Sequence, residues 1–224
     1  MEAESRRLTR GDRRGPHPKI CAVTFVEPLV LTGELVVLEP LEARHHDALV
    51  DAASDGELWN LSYTGVPAPD EMAARIATYL SLQAEGLLVP FTVRRREDGR
   101  VIGQTTYLNL EERHRRLEIG GTWNAQSTHR TGTNTESKLL LLGHAFERLD
   151  CIAVELRTHW LNHQSRQAIE RLGAKQDGVL RSHRIMPDGS LRDTVVYSIV
   201  RDEWPAVRNE LKRRGAVHRQ VIRD

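Results

Sequence analysis

The sequence predicts one α/β domain built on a mixed, mostly antiparallel sheet with helices packed on it. Three observations carry that expectation. Alternating apolar runs meet at two turns that carry Asp-Gly, Glu97-Asp98-Gly99 and Pro187-Asp188-Gly189, which reads as two β-hairpins. Several longer segments instead repeat apolar residues at helical spacing, and one of them, 134–149, stands between two strand patterns as a crossover that makes those strands parallel. With 224 residues, 28% charged and 39% hydrophobic, the chain has enough apolar material for one ordinary core and too little for two.

Taken in order, residues 1–19 (MEAESRRLTRGDRRGPHPK) offer almost nothing to bury and read as a flexible basic tail. The domain then runs over 20–212, with 213–224 as a basic C-terminal extension. LVVLEPL from Leu35 is a short strand. Arg44 to Ser54 repeats His46, Leu49, Val50 and Ala53 as a helix, with His45 and His46 expected at its surface. After a turn-rich stretch from Glu57 to Pro69, Asp70 to Glu85 places Met72, Ile76, Tyr79 and Leu80 on one helical stripe, closed by Gly86.

PFTVRRR and RVIGQTTYLNL flank the first Asp-Gly turn, and Leu117 to Trp123 follows as another strand. The crossover helix repeats Leu139, Leu142, Gly143 and Phe146. Beyond it Cys151 to Arg157 alternates Ile152, Val154 and Leu156, and Ser165 to Leu172 is a short helix ended by Gly173. VLRSHRIM and LRDTVVYSIV form the second hairpin. A last helix starts near Asp202 with Trp204, Val207 and Leu211 on its packing face.

Charge is divided along the chain. The formal net charge is +1, yet residues 1–20 hold six basic and three acidic groups and 208–224 hold six and two, so the body between them sums to −6. An acidic body argues against a nucleic-acid groove in the fold, because phosphate binding by a domain normally shows as a basic face. The mostly apolar stretch Cys21 to Leu41 is broken by Glu27, Pro28, Gly33 and Glu34, so no membrane partner is expected, and the first 20 residues lack the apolar core of a signal peptide. Cys21 and Cys151 have neither metal-ligand nor disulfide spacing, which suits a reduced compartment and makes the cytoplasm the expected location. His159 and His163 are four apart without a third ligand, so no metal is expected.

The segment WNAQSTHRTGTNTESK, 123–138, is a strand, a loop and a helix start. Its helix N-terminus leaves several backbone N–H groups without partners, Gly132 permits close approach or a positive φ, and Arg130 adds a guanidinium, which together suit a phosphate. The plainer alternative is a helix cap with Thr133 or Thr135 as N-cap. Neither GxxxxGK[ST] nor GxGxxG occurs.

Through the runs VIG, LEIGGTW, HRTGTNTESKLLLLGHAF and NHQSRQAIERLGAKQDGVLR, the chain resembles the GNAT (Gcn5-related) N-acetyltransferases, and among them the RimJ/RimL-type acetyltransferases of ribosomal-protein N-termini. The likeness extends from about Leu35 to Trp204. The loop departs from the family pattern Q/R-x-x-G-x-G/A, with His129 at the first position and Asn134 at the last, while Gly132 keeps its glycine. The resemblance implies the GNAT fold, with a central sheet of about seven strands and helices on both faces. It also implies acetyl-coenzyme A as co-substrate, with the pyrophosphate on the loop and helix start His129, Arg130, Thr131, Gly132, Thr133, Asn134 and Thr135, and the pantetheine arm beside Trp123 and Asn124. Asn162 matches the asparagine that bonds the pantetheine; as a plain residue it is a helix cap.

Glu118 is the only carboxylate in LEIGGTW, and alternation sets it on the face opposite Leu117 and Ile119. Unaided, that reads as a solvated strand carboxylate; by resemblance it is the general base, acting directly or through water. A carboxylate of ordinary pKa, about 4.3, is a weak base toward an ammonium, so a raised pKa or a water relay is required. Ser165 matches the serine proposed to protonate the leaving thiolate, its alternative being N-terminal helix hydrogen bonding. The resemblance places the acceptor between the Trp59 to Thr64 loop and the 182 to 192 hairpin, and Trp59 and Tyr63 of that loop are candidates for an apolar wall or for core aromatics. The implied activity is direct transfer to a primary amine, with a protein N-terminal α-amine leading. A small-molecule amine (antibiotic, polyamine or amino acid) is the rival acceptor, and a non-catalytic acyl-coenzyme A binding module the rival class. The family includes monomers and homodimers.

Overall fold

A computed structural model describes residues 25–60 and 64–223, with side chains up to residue 215. The expected tail 1–19 and Tyr63 lie outside the described residues. The elements are β1 (Leu31–Thr32), β2 (Val36–Pro40), α1 (His46–Ser54), α2 (Met72–Ala84), β3 (Val89–Arg95), β4 (Val101–Glu111), β5 (Arg116–Asn124), α3 (Thr133–Glu147), β6 (Ala153–His159), α4 (His163–Arg171), β7 (Lys175–Ile185), β8 (Leu191–Val200) and α5 (Trp204–Arg223). They form one eight-stranded sheet in the order β1-β2-β3-β4-β5-β6-β8-β7. Every neighbouring pair is antiparallel except β5 and β6, which α3 connects.

The expected seven strands become eight because β1 is two residues long, too short for any alternation to show. The turn that joins it to β2 is held by α3: the Glu136 carboxylate, in the first turn of that helix, accepts from the backbone N–H groups of Glu34, Leu35 and Val36 at 3.0, 2.6 and 2.8 Å. At Gly33 an added Cβ would lie 2.4 Å from that carboxylate, so a larger residue would have to displace the Glu136 side chain from its bonds to the turn.

The two faces of the sheet are covered differently. The larger core joins Leu141, Leu142 and Phe146 of α3, Ile169 of α4 and Trp204, Val207 and Leu211 of α5 to Phe91, Tyr107, Leu117, Val154 and Tyr197 of the strands. A smaller core joins Leu49 and Ala53 of α1 to Met72 and Ile76 of α2, with Leu41 and Val101. The α1 stripe differs from the expected one: His45 is buried, its Nδ1 2.9 Å from Thr92 Oγ1, whereas His46 is half-exposed. A backbone N–H, that of Glu42, also points at the His45 ring (3.2 Å), which makes this histidine a tie between turn and sheet.

On α5, Trp204, Val207 and Leu211 are buried as their spacing predicts. The helix continues unbroken to Arg223, so the boundary expected at 212/213 falls inside it. No helix among the described residues is long and apolar enough to cross a membrane.

Candidate active site

The site begins where two parallel strands part. β5 and β6 are in register at Arg116 with Ala153, Leu117 with Val154 and Glu118 with Glu155, and no further, although the strands run on to Asn124 and His159. A cleft opens beyond Glu118. On its other side β5 stays paired with β4, but through a bulge: Thr106 pairs with Gly120 and Gln104 with Trp123, so β5 uses one residue more than β4. Gly121, at φ 55°, takes up the change of direction. The close approach also needs Gly103, where a Cβ would stand 2.1 Å from the Trp123 carbonyl oxygen. Backbone groups of Gly120 to Asn124 on the cleft side thus have no neighbouring strand to pair with, and suit an extended ligand lying along β5.

At the far end of the cleft, α3 begins on Gly132, at φ 89°, preceded by Arg130 at φ 64°. The cap is therefore a glycine without any side-chain cap bond, in place of the threonine cap the sequence allowed. Thr131 Oγ1 instead donates to Thr128 O at 2.7 Å and contacts Thr133 Oγ1 at 3.1 Å. The bond from Glu136 N to Gly132 O, 3.0 Å, opens the helical ladder, which leaves the N–H groups of Thr133, Asn134 and Thr135 without a carbonyl one turn back. An anion there is favoured by those donors and by the helix dipole.

His129 Nε2 lies 3.1 Å from Asn124 O, and Asn124 Nδ2 lies 3.5 Å from Asn134 Oδ1, so the end of β5 is joined to the helix start. Asn124 Oδ1 is buried without a partner, an acceptor left over for a ligand. Arg130 is exposed. A cavity of about 320 Å³ adjoins the first turn, lined by Asn134, Thr135, Ala168, Arg171, Leu211 and Arg214. Unpaired amides, an orphaned acceptor and a strand edge beside an open cleft fit a coenzyme A pyrophosphate and its arm.

Glu118 is buried rather than solvated, 6% exposed. Its Oε2 accepts from Asn109 Nδ2 at 2.7 Å and stands 3.5 Å from Arg157 Nε. Burial raises its pKa above the usual carboxylate range, overcoming the opposing pull of Arg157 and Asn109, and the register partner Glu155 pushes the same way as burial. The raised pKa that a carboxylate base needs is thus supplied by its position. Arg116 and Arg157 pair with Glu155, Arg157 Nη2 at 2.7 Å, which keeps the opposed carboxylates together.

The other expected residues are placed less tellingly. Asn162 is the N-cap of α4, its Oδ1 accepting from Ser165 N at 2.9 Å, and Ser165 is half-buried in that first turn. Trp59 and Trp123 are half-buried against the smaller core, so Trp59 has a core contact whatever else it touches. His159 is buried, its Nδ1 accepting from Leu161 N at 3.0 Å.

Among the residues that escaped the sequence reading are Asn109, Arg157 and Lys138. Asn109 reaches Glu118 only because β4 folds back on β5, which no spacing reveals. Lys138, in the second turn of α3, is buried with Nζ 2.5 Å from Thr122 Oγ1 and 3.1 Å from Thr105 Oγ1, and burial brings its pKa from 10.5 to about 7. Its signal was present: Lys138 lies three, four and seven residues before Leu141, Leu142 and Ala145, on the buried stripe.

The sequence profile of the acetyltransferase (GNAT) domain family matches residues 36–175. An uncharacterised N-acetyltransferase of Bacillus subtilis, YoaA, is 24% identical over 174 residues, 77% of this chain and 97% of that protein. Among solved structures, an acetyltransferase from T. thermophilus is 34% identical with a TM-score of 0.72, covering 84% of this chain and 98% of that one. A GCN5-related N-acetyltransferase from Brucella melitensis is 26% identical with a TM-score of 0.73, covering 84% and 85%. Mycobacterium smegmatis RimJ, solved in complex with CoA-disulfide, has a similar fold, with a TM-score of 0.68 at 24% identity over 84% of this chain and 93% of that one.

Proposed function

Because the chain belongs to the GNAT acetyltransferase family, we propose that it moves the acetyl group of acetyl-coenzyme A directly onto a primary amine, a protein N-terminal α-amine first, with Glu118 as the general base. The observation that carries this reading is the buried, partnered Glu118 at the point where β5 and β6 separate. Acetyl-coenzyme A supplies an activated thioester; the chain supplies position and proton transfer. The amides of Thr133 to Thr135, with Arg130 and His129 in the loop before them, hold the pyrophosphate, and the free edge of β5 from Gly120 to Asn124 aligns the arm.

The acceptor must lose a proton before its nitrogen can attack. At pH 7 that costs about 1.4 kcal/mol for an α-amine of pKa about 8 and roughly 5 kcal/mol for a free lysine, so an α-amine suits a carboxylate base better. Glu118, with its raised pKa, takes the proton directly or through one water. The departing thiolate, of pKa about 8.5, needs only a hydroxyl or water nearby, the part we assign to Ser165. Asn162 orients the start of α4 and with it Ser165. We assign Trp59, half-buried against the smaller core, to the acceptor side. A RimJ/RimL-like acceptor, the N-terminus of a ribosomal protein, is the specific form of this reading, supported by the shared fold with RimJ and the motif runs.

The test is thiol release from acetyl-coenzyme A with a panel of N-terminal peptides and small amines, with mass spectrometry of the product. An acetylated peptide α-amine is expected. Coenzyme A binding without thiol release above background on any amine removes the transferase reading in favour of a binding module, and turnover confined to small amines moves the acceptor class.

A further inference from the structure

The face of the sheet that bears Glu118 carries more positive charge than acid-base chemistry uses. Strand alternation puts Glu118 on one face with its register partner Glu155, and then Arg157 and His159 along β6. Across the β6–β8 ladder, Arg157 faces Val196 and His159 faces Thr194, and two residues further along β8 the same face presents Arg192. Arg192 is in turn the direct partner of Arg184 on β7. α1 and α2 pack chiefly on β3 and β4, so this bay over β5, β6 and β8 is not roofed by them.

Two like charges directly opposite in an antiparallel pair repel, and among the described residues no ion pair offsets the repulsion. Asp193 is engaged by Arg181 and by the amide of Ser182, and Glu155 by Arg116 and Arg157. Among the described residues no carboxylate stands within ion-pair distance of Arg184 or Arg192, and Glu118 is the acid whose field both of them feel. Arg192 is half-buried and, among the described residues, engages only Nε, donating to Thr194 Oγ1 at 3.0 Å, which leaves its terminal nitrogens for another acceptor. The same hydroxyl holds His183 Nδ1 at 3.1 Å.

The backbone bends to make this arrangement. Between Leu180 and Arg184 β7 uses two residues more than β8, a bulge with Ser182 at φ 48° and its N–H on Asp193 Oδ1 at 2.7 Å. Bulges re-aim side chains at the expense of pairing, and this one precedes the arginine that faces Arg192. A guanidinium fork left half-buried beside a like charge matches a carboxylate, which it binds through two parallel hydrogen bonds.

We infer that the acceptor amine carries a carboxylate within a few bonds of its nitrogen, and that Arg184 and Arg192 hold this carboxylate while Glu118 faces the amine. The inference rests on the acetyl-transfer reading above. The carboxylate belongs either to an acidic side chain near a peptide N-terminus or to the α-carboxyl of a free amino acid. Both present the same anion beside an amine. This bay thereby reverses locally the sign of the acidic body, selecting against amines that carry further positive charge, such as polyamines.

Matched acceptors test it: peptides beginning Ser-Glu against Ser-Gln, and free amino acids against their amides, with kcat and KM measured separately. In the native enzyme at least one acidic member should have a kcat/KM at least tenfold above its neutral partner, expressed mainly in KM, and the arm that shows it identifies the source of the carboxylate. Arg184→Gln with Arg192→Gln should bring that ratio to about one, and Arg192→Lys should restore part of it. Should the double variant fail to fold by circular dichroism, the exposed Arg184→Gln alone must still lower the ratio. Equal kcat/KM within both pairs, or a preference that survives the substitutions, overturns the inference and leaves acetyl transfer standing. If no amine is acetylated, calorimetry with the same peptides on the coenzyme A-loaded protein decides: tighter binding of the acidic peptide upholds the bay without the transferase, and equal binding overturns it.

Discussion

Lys138 is a residue whose chemistry is changed by its surroundings. It stands in α3 between Thr105 and Thr122 with no carboxylate partner among the described residues, and burial brings its pKa to about 7. In the unfolded chain the same ammonium titrates near 10.5. Between those values the unfolded state holds one proton more than the native state, so stability rises with pH; below about 7 both states are protonated and the cost of the buried charge is complete. Lys138→Met removes this titration. Denaturant unfolding at pH 7 and pH 9 should show the native protein gaining about 2 kcal/mol on the variant as the pH rises, an order-of-magnitude figure from one proton over two pH units. A constant difference would mean that Lys138 stays protonated in the fold. At this scale the sequence was informative about residue types and poor about surroundings. Glu118 stood out as the lone acid of its strand, but its polar partners Asn109 and Arg157 come from two other strands.

Among the elements, the start of α3 joins local sequence to ligand chemistry most closely. Gly132 serves as its cap at φ 89°, a conformation costing an L-residue roughly 1–2 kcal/mol, and a β-branched side chain would also crowd the amides that follow. Gly132→Val should therefore raise the dissociation constant for coenzyme A by about tenfold or more, equivalent to about 1.4 kcal/mol, with the helical circular dichroism retained. Unchanged affinity by calorimetry would move the phosphate site elsewhere. The helix stripes of α2 and α5 and both hairpins were legible because period and turn chemistry are local signals: Met72 and Ile76 are buried, and the two Asp-Gly turns join β3 to β4 and β7 to β8. What was not legible is register. The bulge at Gly121, the early end of β5–β6 pairing and the bulge before Arg184 are set by neighbouring strands, and these three irregularities shape the cleft and its bay.

Over the whole molecule, the division of charge read from the sequence acquires a spatial meaning. A net charge of −6 between residues 21 and 207 would attract any cationic amine through the general field. The fold concentrates arginines where that field would otherwise be negative, at Arg157, Arg184 and Arg192 around Glu118, and at Arg171 and Arg214 around the cavity beside the α3 start. Part of the C-terminal basic run thus borders the cavity beside the α3 start, because α5 continues past Leu211 and carries Arg214 to α4, where its Nη1 donates to Arg171 O at 2.5 Å. The proposed cofactor cleft, base and acceptor bay meet at one carboxylate, and the pH dependence of turnover by Glu118→Gln examines all three together. For a peptide acceptor that the native enzyme acetylates, kcat/KM should fall by about 100-fold or more, the order expected for loss of a general base, and the acidic limb due to Glu118 should vanish, leaving only the titration of the amine. An unchanged rate and pH profile in a folded Glu118→Gln variant would contradict the account at its centre.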